Sequence, residues 1–241
     1  MPERRLIPSV EKRLASFTEL IRKAEKEVAD KESKASTVTI SREFGCEGYP
    51  VAEKLKDILE QKTGREWLLM DKALIEEVAK THHLLENVLS RLGEKSRVVE
   101  DVISTFSSHW QTEHDYYRLL CREIFALGVG GNVIIVGRGS AIVTQGLHNC
   151  FHFRLFASMG FKMDYISRRT GLSPSETELF IAKKQRERNA FLRDFLDRDA
   201  GDLKYYHLVF NNDKNPSERI ASVAADYVLS SKQSYAGGLR R

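Results

Sequence analysis

Between Thr37 and Ala52 the chain carries residue types suited to holding phosphate. Thr37-Val-Thr-Ile-Ser-Arg-Glu-Phe-Gly-Cys-Glu-Gly-Tyr-Pro-Val-Ala52 reads as a buried strand, a glycine-bearing turn and the start of a helix. Such a loop cradles an anion because successive backbone N–H groups converge and the helix N-terminus is partially positive. Gly45 and Gly48 supply the tolerant backbone. The lysine and the Ser/Thr hydroxyl of the Walker pattern are missing: Gly48 aligns with the lysine, and Tyr49-Pro50 stands where Gly-[Ser/Thr] follows. Pro50 still suits the first turn of a helix, so the helix N-terminus survives. Arg42 can restore the lost charge from the side, although arginine and lysine differ in geometry. The phosphate-contacting candidates are therefore Arg42, Gly45, Cys46, Glu47, Gly48 and Tyr49. Two glycines also fit an ordinary strand-to-helix turn, so the loop needs context.

Further charged residues stand at strand ends. Asp71 lies at a strand-to-helix junction, where an N-cap belongs. Arg138 follows the most apolar strand candidate, between Gly137 and Gly139, at the end where open α/β sheets bind ligands. A buried ion pair is the other role open to that arginine. Lys183, Lys184, Arg186, Arg188, Arg193 and Arg198 form a basic run, for most of which a solvated helix face suffices. His82, His83, His109, His114 and Cys121 lack metal-ligand spacing, so no metal site is expected.

The elements that must position these groups are legible as an alternation. Strands are expected over 37–41, 67–70, 132–137, 151–156 and 206–210, with helices over 50–61, 116–127 (ending at Gly128), 160–169, 173–196 and 216–229. Residues 82–109 read as helices of uncertain limits. Ser173-Pro-Ser-Glu176 fits a capping box. Five strands alternating with helices imply a mainly parallel sheet covered on both faces. Residues 9–34 read as an amphipathic helix, whose apolar stripe is expected to pack on this domain or on a second copy.

Bulk properties narrow the class. With 41% hydrophobic and 30% charged residues among 241, the chain suits a globular protein with a substantial core. No apolar run approaches a membrane span, and none follows Arg4 and Arg5 to make a secretory signal. A net charge of +4 suits small anions and is too weak to argue for nucleic acid. Cys46, Cys121 and Cys150 form neither a CxxC pair nor an even framework, which favours a reducing, cytoplasmic setting.

Four motifs supply the context: Ile40-Ser-Arg-Glu-Phe-Gly-Cys-Glu-Gly-Tyr-Pro-Val-Ala52, Met70-Asp-Lys-Ala-Leu-Ile75, Val133-Ile-Ile-Val-Gly-Arg-Gly139 and Tyr206-His-Leu-Val-Phe-Asn211. In this order they resemble the cytidylate kinase-like family of P-loop proteins, a branch of the nucleoside monophosphate kinases, over about residues 36–229. The resemblance implies an α/β fold: a P-loop three-layer α/β/α architecture with a mainly parallel five-stranded sheet. It implies a domain over 36–230 with a helical acceptor-binding insertion at 80–128 and a lid-like basic helix at 173–200. An N-terminal helical extension, 1–35, and a flexible tail, 231–241, fall outside it.

The activity it implies is transfer of the ATP γ-phosphoryl to a nucleoside monophosphate, CMP or dCMP. ATP and Mg²⁺ would serve as cofactors, the metal held mainly by phosphates and water. By the same resemblance the loop and Arg42 hold the donor, and Asp71 and Arg138 hold the acceptor. Lys162 stands where the family tends to have arginine, and Arg188 matches a lid arginine with Arg186 beside it. The chain departs from the pattern at Glu47, which replaces a glycine, at Tyr49, where arginine is common, and at Gln185, which replaces an aspartate. Gly139 stands where true cytidylate kinases have aspartate. These departures keep two other readings open: a catalytically weak or inactive module that binds a nucleotide or another phosphate ligand, and a structural protein with a vestigial site that dimerises through the N-terminal helix. Nucleotides are the expected partners, with neither nucleic acid nor membrane.

Overall fold

A computed structural model of the chain describes residues 35–75, 113–199 and 201–236. The amphipathic helix expected at 9–34, the helices expected at 82–109 and residues 237–241 lie outside that set. Strands β1 (Thr37–Arg42), β2 (Leu68–Met70), β3 (Val133–Val136), β4 (Cys150–Phe156) and β5 (Leu208–Asn211) form one sheet in the order β2-β3-β1-β4-β5. Every neighbouring pair is parallel, with Thr37 opposite both Val133 and Cys150. The expected three-layer α/β architecture is the one observed.

Side-chain alternation along β1 and β4 sorts the two faces. Val38 and Ile40 join Phe151, Phe153 and Leu155 under helices α1 (Gly48–Thr63) and α6 (Ser217–Ala236), which contribute Leu55, Leu59, Ala221 and Val228. The opposite face is apolar at β3, where Val133 and Ile135 pack on Leu120 and Ile124 of α2 (Glu113–Gly130). At β1 and β4 that face is polar. Thr37 donates to the Gly128 carbonyl at 2.9 Å, and Thr39 Oγ1 lies 2.8 Å from His152 Nδ1. Each buried polar group there has a partner, as the cost of burying it bare requires. Ser41 and Arg154, next in register, bring this polar column to the C-terminal edge of the sheet.

Two helices the sequence delimits well close that edge. Ser158 caps α4 (Met159–Thr170) by accepting from the Phe161 N–H at 3.2 Å. The predicted capping box starts α5 (Pro174–Leu196), with the Ser173 N–H donating to Glu176 at 2.9 Å. A four-residue helix, α3 (Ser140–Val143), follows β3 and was not foreseen.

Several helix ends differ from expectation, among them those of α2 and α6. Helix α2 runs through Gly128 to Gly130, because Gly128 sits at a close approach rather than at a cap: a Cβ there would lie 2.8 Å from Thr144 Cγ2. Helix α6 continues past Leu229 to Ala236, so residues 231–236 are helical where a tail was expected.

Candidate functional site

Three guanidinium groups from three separate elements line one cavity of about 390 Å³ beyond the C-terminal ends of β1 and β3. Arg42 is the last residue of β1, Arg138 sits in the turn after β3, and Arg188 comes from α5. The Arg42 stem passes Gly48, whose missing Cβ would lie 3.1 Å from Arg42 Cγ and Cδ. Its guanidinium then lies over Gly137. Burial, then the Arg188 charge, pulls Arg42 down to about 9, with Asp71 opposing. Burial and Arg188 likewise hold Arg138 down at about 10, and burial lowers Arg188. All three remain cations at neutral pH, so the cavity concentrates positive charge in a place that water screens poorly.

Backbone and rings hold the charges in place. Gly137, Arg138 and Gly139 all have positive φ, and Arg138, at 55°, is left-handed without being glycine. Such strain persists where the surrounding structure imposes it, and it clusters at functional sites. Arg138 stacks 4.5 Å from the Phe191 ring and Arg188 5.0 Å from that of Phe44, cation–π contacts made from α5 and the loop. Arg188 also donates to the Arg42 carbonyl at 3.2 Å, tying α5 to the end of β1.

The loop itself is occupied from within. The Phe44 N–H donates to Gln185 Oε1 at 2.7 Å and the Glu47 N–H to Asn212 Oδ1 at 2.8 Å. The Cys46 and Gly48 N–H groups turn to the carbonyls of Glu43 and Cys46, at 3.3 and 2.9 Å. The Glu47 carboxylate faces away and accepts from Ser217 Oγ at 2.7 Å. Gly45, φ 93°, is pressed on Lys162, where a Cβ would lie 2.7 Å from that of the lysine. Lys162 is ion-paired with Glu43.

Of the residues singled out in the sequence, Arg42, Arg138 and Arg188 therefore meet at the cavity, while Gly45, Cys46, Glu47, Gly48, Tyr49 and Lys162 do not line it. Asp71 caps the helix beginning at Lys72 by accepting from the Leu74 N–H at 3.0 Å, within electrostatic reach of Arg42. Arg186 is exposed on the outer side of α5. Mg²⁺ finds no ready-made site: among the described residues no group of three His, Cys, Asp or Glu can hold a metal, and no Ser or Thr opens α1. Cys46, pushed up to about 12 by burial and then by Glu43, is not a nucleophile at neutral pH.

Sequence reasoning missed Lys72, Ser41, Arg154 and Tyr206 and left Lys184 to a solvated helix face; all five line the cavity. Arg154 had a usable signal, a permanent charge inside the aromatic-rich strand Phe-His-Phe-Arg-Leu-Phe. Among the described residues, Glu187 is the one carboxylate at the cavity wall, and it is engaged by Lys184 at 2.7 Å.

Fold and site together define an α/β protein with an anion-attracting cavity where parallel strands end beside a phosphate-loop-like turn. Residues 37–214 match the cytidylate kinase-like family, and the chain belongs to it. Among solved structures, an uncharacterized protein from Eubacterium ventriosum is 18% identical at TM-score 0.62, over 81% of this chain and 98% of that one, which shows a shared fold. Shikimate kinase from Bacteroides thetaiotaomicron is 10% identical at TM-score 0.39, over 82% and 98%. No curated protein matches the sequence. Among the described residues no helix is long and apolar enough to cross a membrane.

Proposed function

We propose that the cavity binds the phosphate of a nucleoside monophosphate, CMP or dCMP, and that the chain acts as a nucleotide kinase-like phosphotransferase toward it. The observation that carries this reading is the convergence of Arg42, Arg138 and Arg188 on one cavity whose wall, among the described residues, holds a single, already engaged, carboxylate. Like charges so gathered repel one another, and a dianionic phosphate converts that cost into binding. The reaction would pass the ATP γ-phosphoryl to an acceptor phosphate oxygen, with ADP leaving. Arg188, which reaches both the end of β1 and the cavity, stands where it could stabilise transferring oxygens.

A second reading, binding without transfer, draws support from the loop. The Phe44 and Glu47 amides are engaged by side chains, and the first turn of α1, Gly48-Tyr49-Pro50, carries neither a lysine nor an aliphatic hydroxyl. Calorimetric titration of CMP, paired with a coupled ADP-release assay over the common monophosphates with MgATP, separates the two. Turnover abolished by Arg138→Ala supports the kinase. Binding without turnover leaves the module, and absence of CMP or dCMP binding sinks both.

A further inference from the structure

Arg154 is only 8% exposed, yet its protein contacts are few and long. Its Nη1 lies 3.5 Å from Ser41 Oγ and 3.4 Å from the Tyr206 hydroxyl, and its Cζ is 5.5 Å from the Tyr206 ring. Among the described residues no carboxylate pairs with it. Among the described residues its Nε and Nη2 make no hydrogen bond, and neither is a sealed, unpartnered atom, so the space they reach is the cavity that Arg154 lines. Leaving a guanidinium nearly buried without an anion is expensive, and its remaining donors match an oxyanion fork to fork.

The group is also set apart from the three other arginines. Ser41, its register partner on β1, points to the opposite face from Arg42. Arg138 feels the charge of Arg188 across the cavity but not that of Arg154. The Tyr206 hydroxyl donates to Ser41 Oγ at 3.1 Å, so two hydroxyls and a guanidinium form one polar patch.

We propose that Arg154, with the hydroxyls of Ser41 and Tyr206, is a second oxyanion subsite. The cavity then takes a ligand bearing one phosphate and, apart from it, a second phosphate or a carboxylate. The inference rests on the cavity being a phosphate-ligand site; CMP alone fills its first part.

Titration calorimetry on the full chain tests this with two pairs of probes. CMP is compared with cytidine 3′,5′-bisphosphate, and glycerol 3-phosphate with 3-phosphoglycerate. In at least one pair the second oxyanion is expected to tighten binding by about tenfold or more, as a charge-assisted bidentate contact does. Arg154→Gln should erase that advantage while leaving the single-phosphate probe within about threefold. Tyr206→Phe, which keeps the ring beneath the guanidinium, should erode it partly and guards against a misfolded arginine variant. Which pair responds tells phosphate from carboxylate. The subsite is overturned if neither pair shows an advantage that depends on Arg154. If CMP and dCMP fail to bind, only the nucleotide reading falls, and the glycerate pair still decides the subsite.

Discussion

Gly137 and Arg42 occupy adjoining space so closely that a Cβ on residue 137 would overlap Nη1 of the arginine. The glycine is thus needed twice, for its φ of 85° and for the room above it. Gly48 makes similar room for the stem of the same side chain. Where a Walker loop places a lysine, this chain runs an arginine in from β1 across two glycines, and the charge arrives at the cavity rather than in the loop.

Gly137→Ala should therefore expel the Arg42 guanidinium. Left-handed alanine costs roughly 1–2 kcal/mol, and the displaced cation adds to that. Chemical denaturation should show the loss of stability and calorimetry a CMP affinity lower by about tenfold or more. An alanine variant that binds like the parent would mean that Arg42 does not need its place over residue 137.

Arg138 sits in a conformation that its side chain does not favour, so stability and binding should respond to it separately. Arg138→Gly and Arg138→Ala both remove the cavity charge and should both weaken CMP by about tenfold or more. Glycine relieves the left-handed strain and alanine keeps it, so the glycine variant should be the more stable of the two by ~1–2 kcal/mol. Equal urea midpoints for the pair would show that the turn is not under strain.

Hydrophobic and β-branched runs made β1, β3 and β4 most legible, because a strand buried on both faces has little choice of composition. The capping box placed the start of α5 for the same local reason. Arg42, Arg138 and Arg188 were legible because each stands at a strand end or on a basic helix in a recognisable order. Arg154 and Tyr206 were not, since their partnership with Ser41 depends on β4 lying beside β1, a register fixed only in three dimensions. The fate of the loop amides was hidden likewise: their acceptors Gln185 and Asn212 are 141 and 165 residues away in sequence.

Gln185 closes the loop with its own side-chain carbonyl, so Gln185→Ala should open it. The lost hydrogen bond costs about 0.5–1.5 kcal/mol, and exchange of the Phe44 amide should accelerate. If the loop retains a capacity for the donor, ATP should bind this variant more tightly than the parent in a fluorescence titration. Faster exchange at Phe44 with unchanged ATP affinity would indicate that the loop has ceased to serve as a phosphate cradle.

Two buried groups set opposite flanks of a pH–stability profile. Glu123 on α2 is nearly buried, its Oε2 lacks a hydrogen-bond partner, and burial pushes its carboxyl up from 4.5 to about 8, with Arg122 opposing. The folded state holds that proton more tightly than the unfolded chain, so this contribution is complete below about 4.5 and drains away as pH rises through about 8. His152 behaves in the reverse sense: burial, then His207, lowers it from 6.5 to about 3. Its contribution is complete above about 6.5 and is lost as pH falls toward about 3. Urea unfolding should therefore be hardest between about pH 5 and 6.5. Glu123→Gln keeps a neutral side chain in the same space, so it should match the parent near pH 5 and exceed it by a few kcal/mol near pH 9. A glutamine variant that tracks the parent across that range would place the alkaline loss of stability elsewhere in the chain.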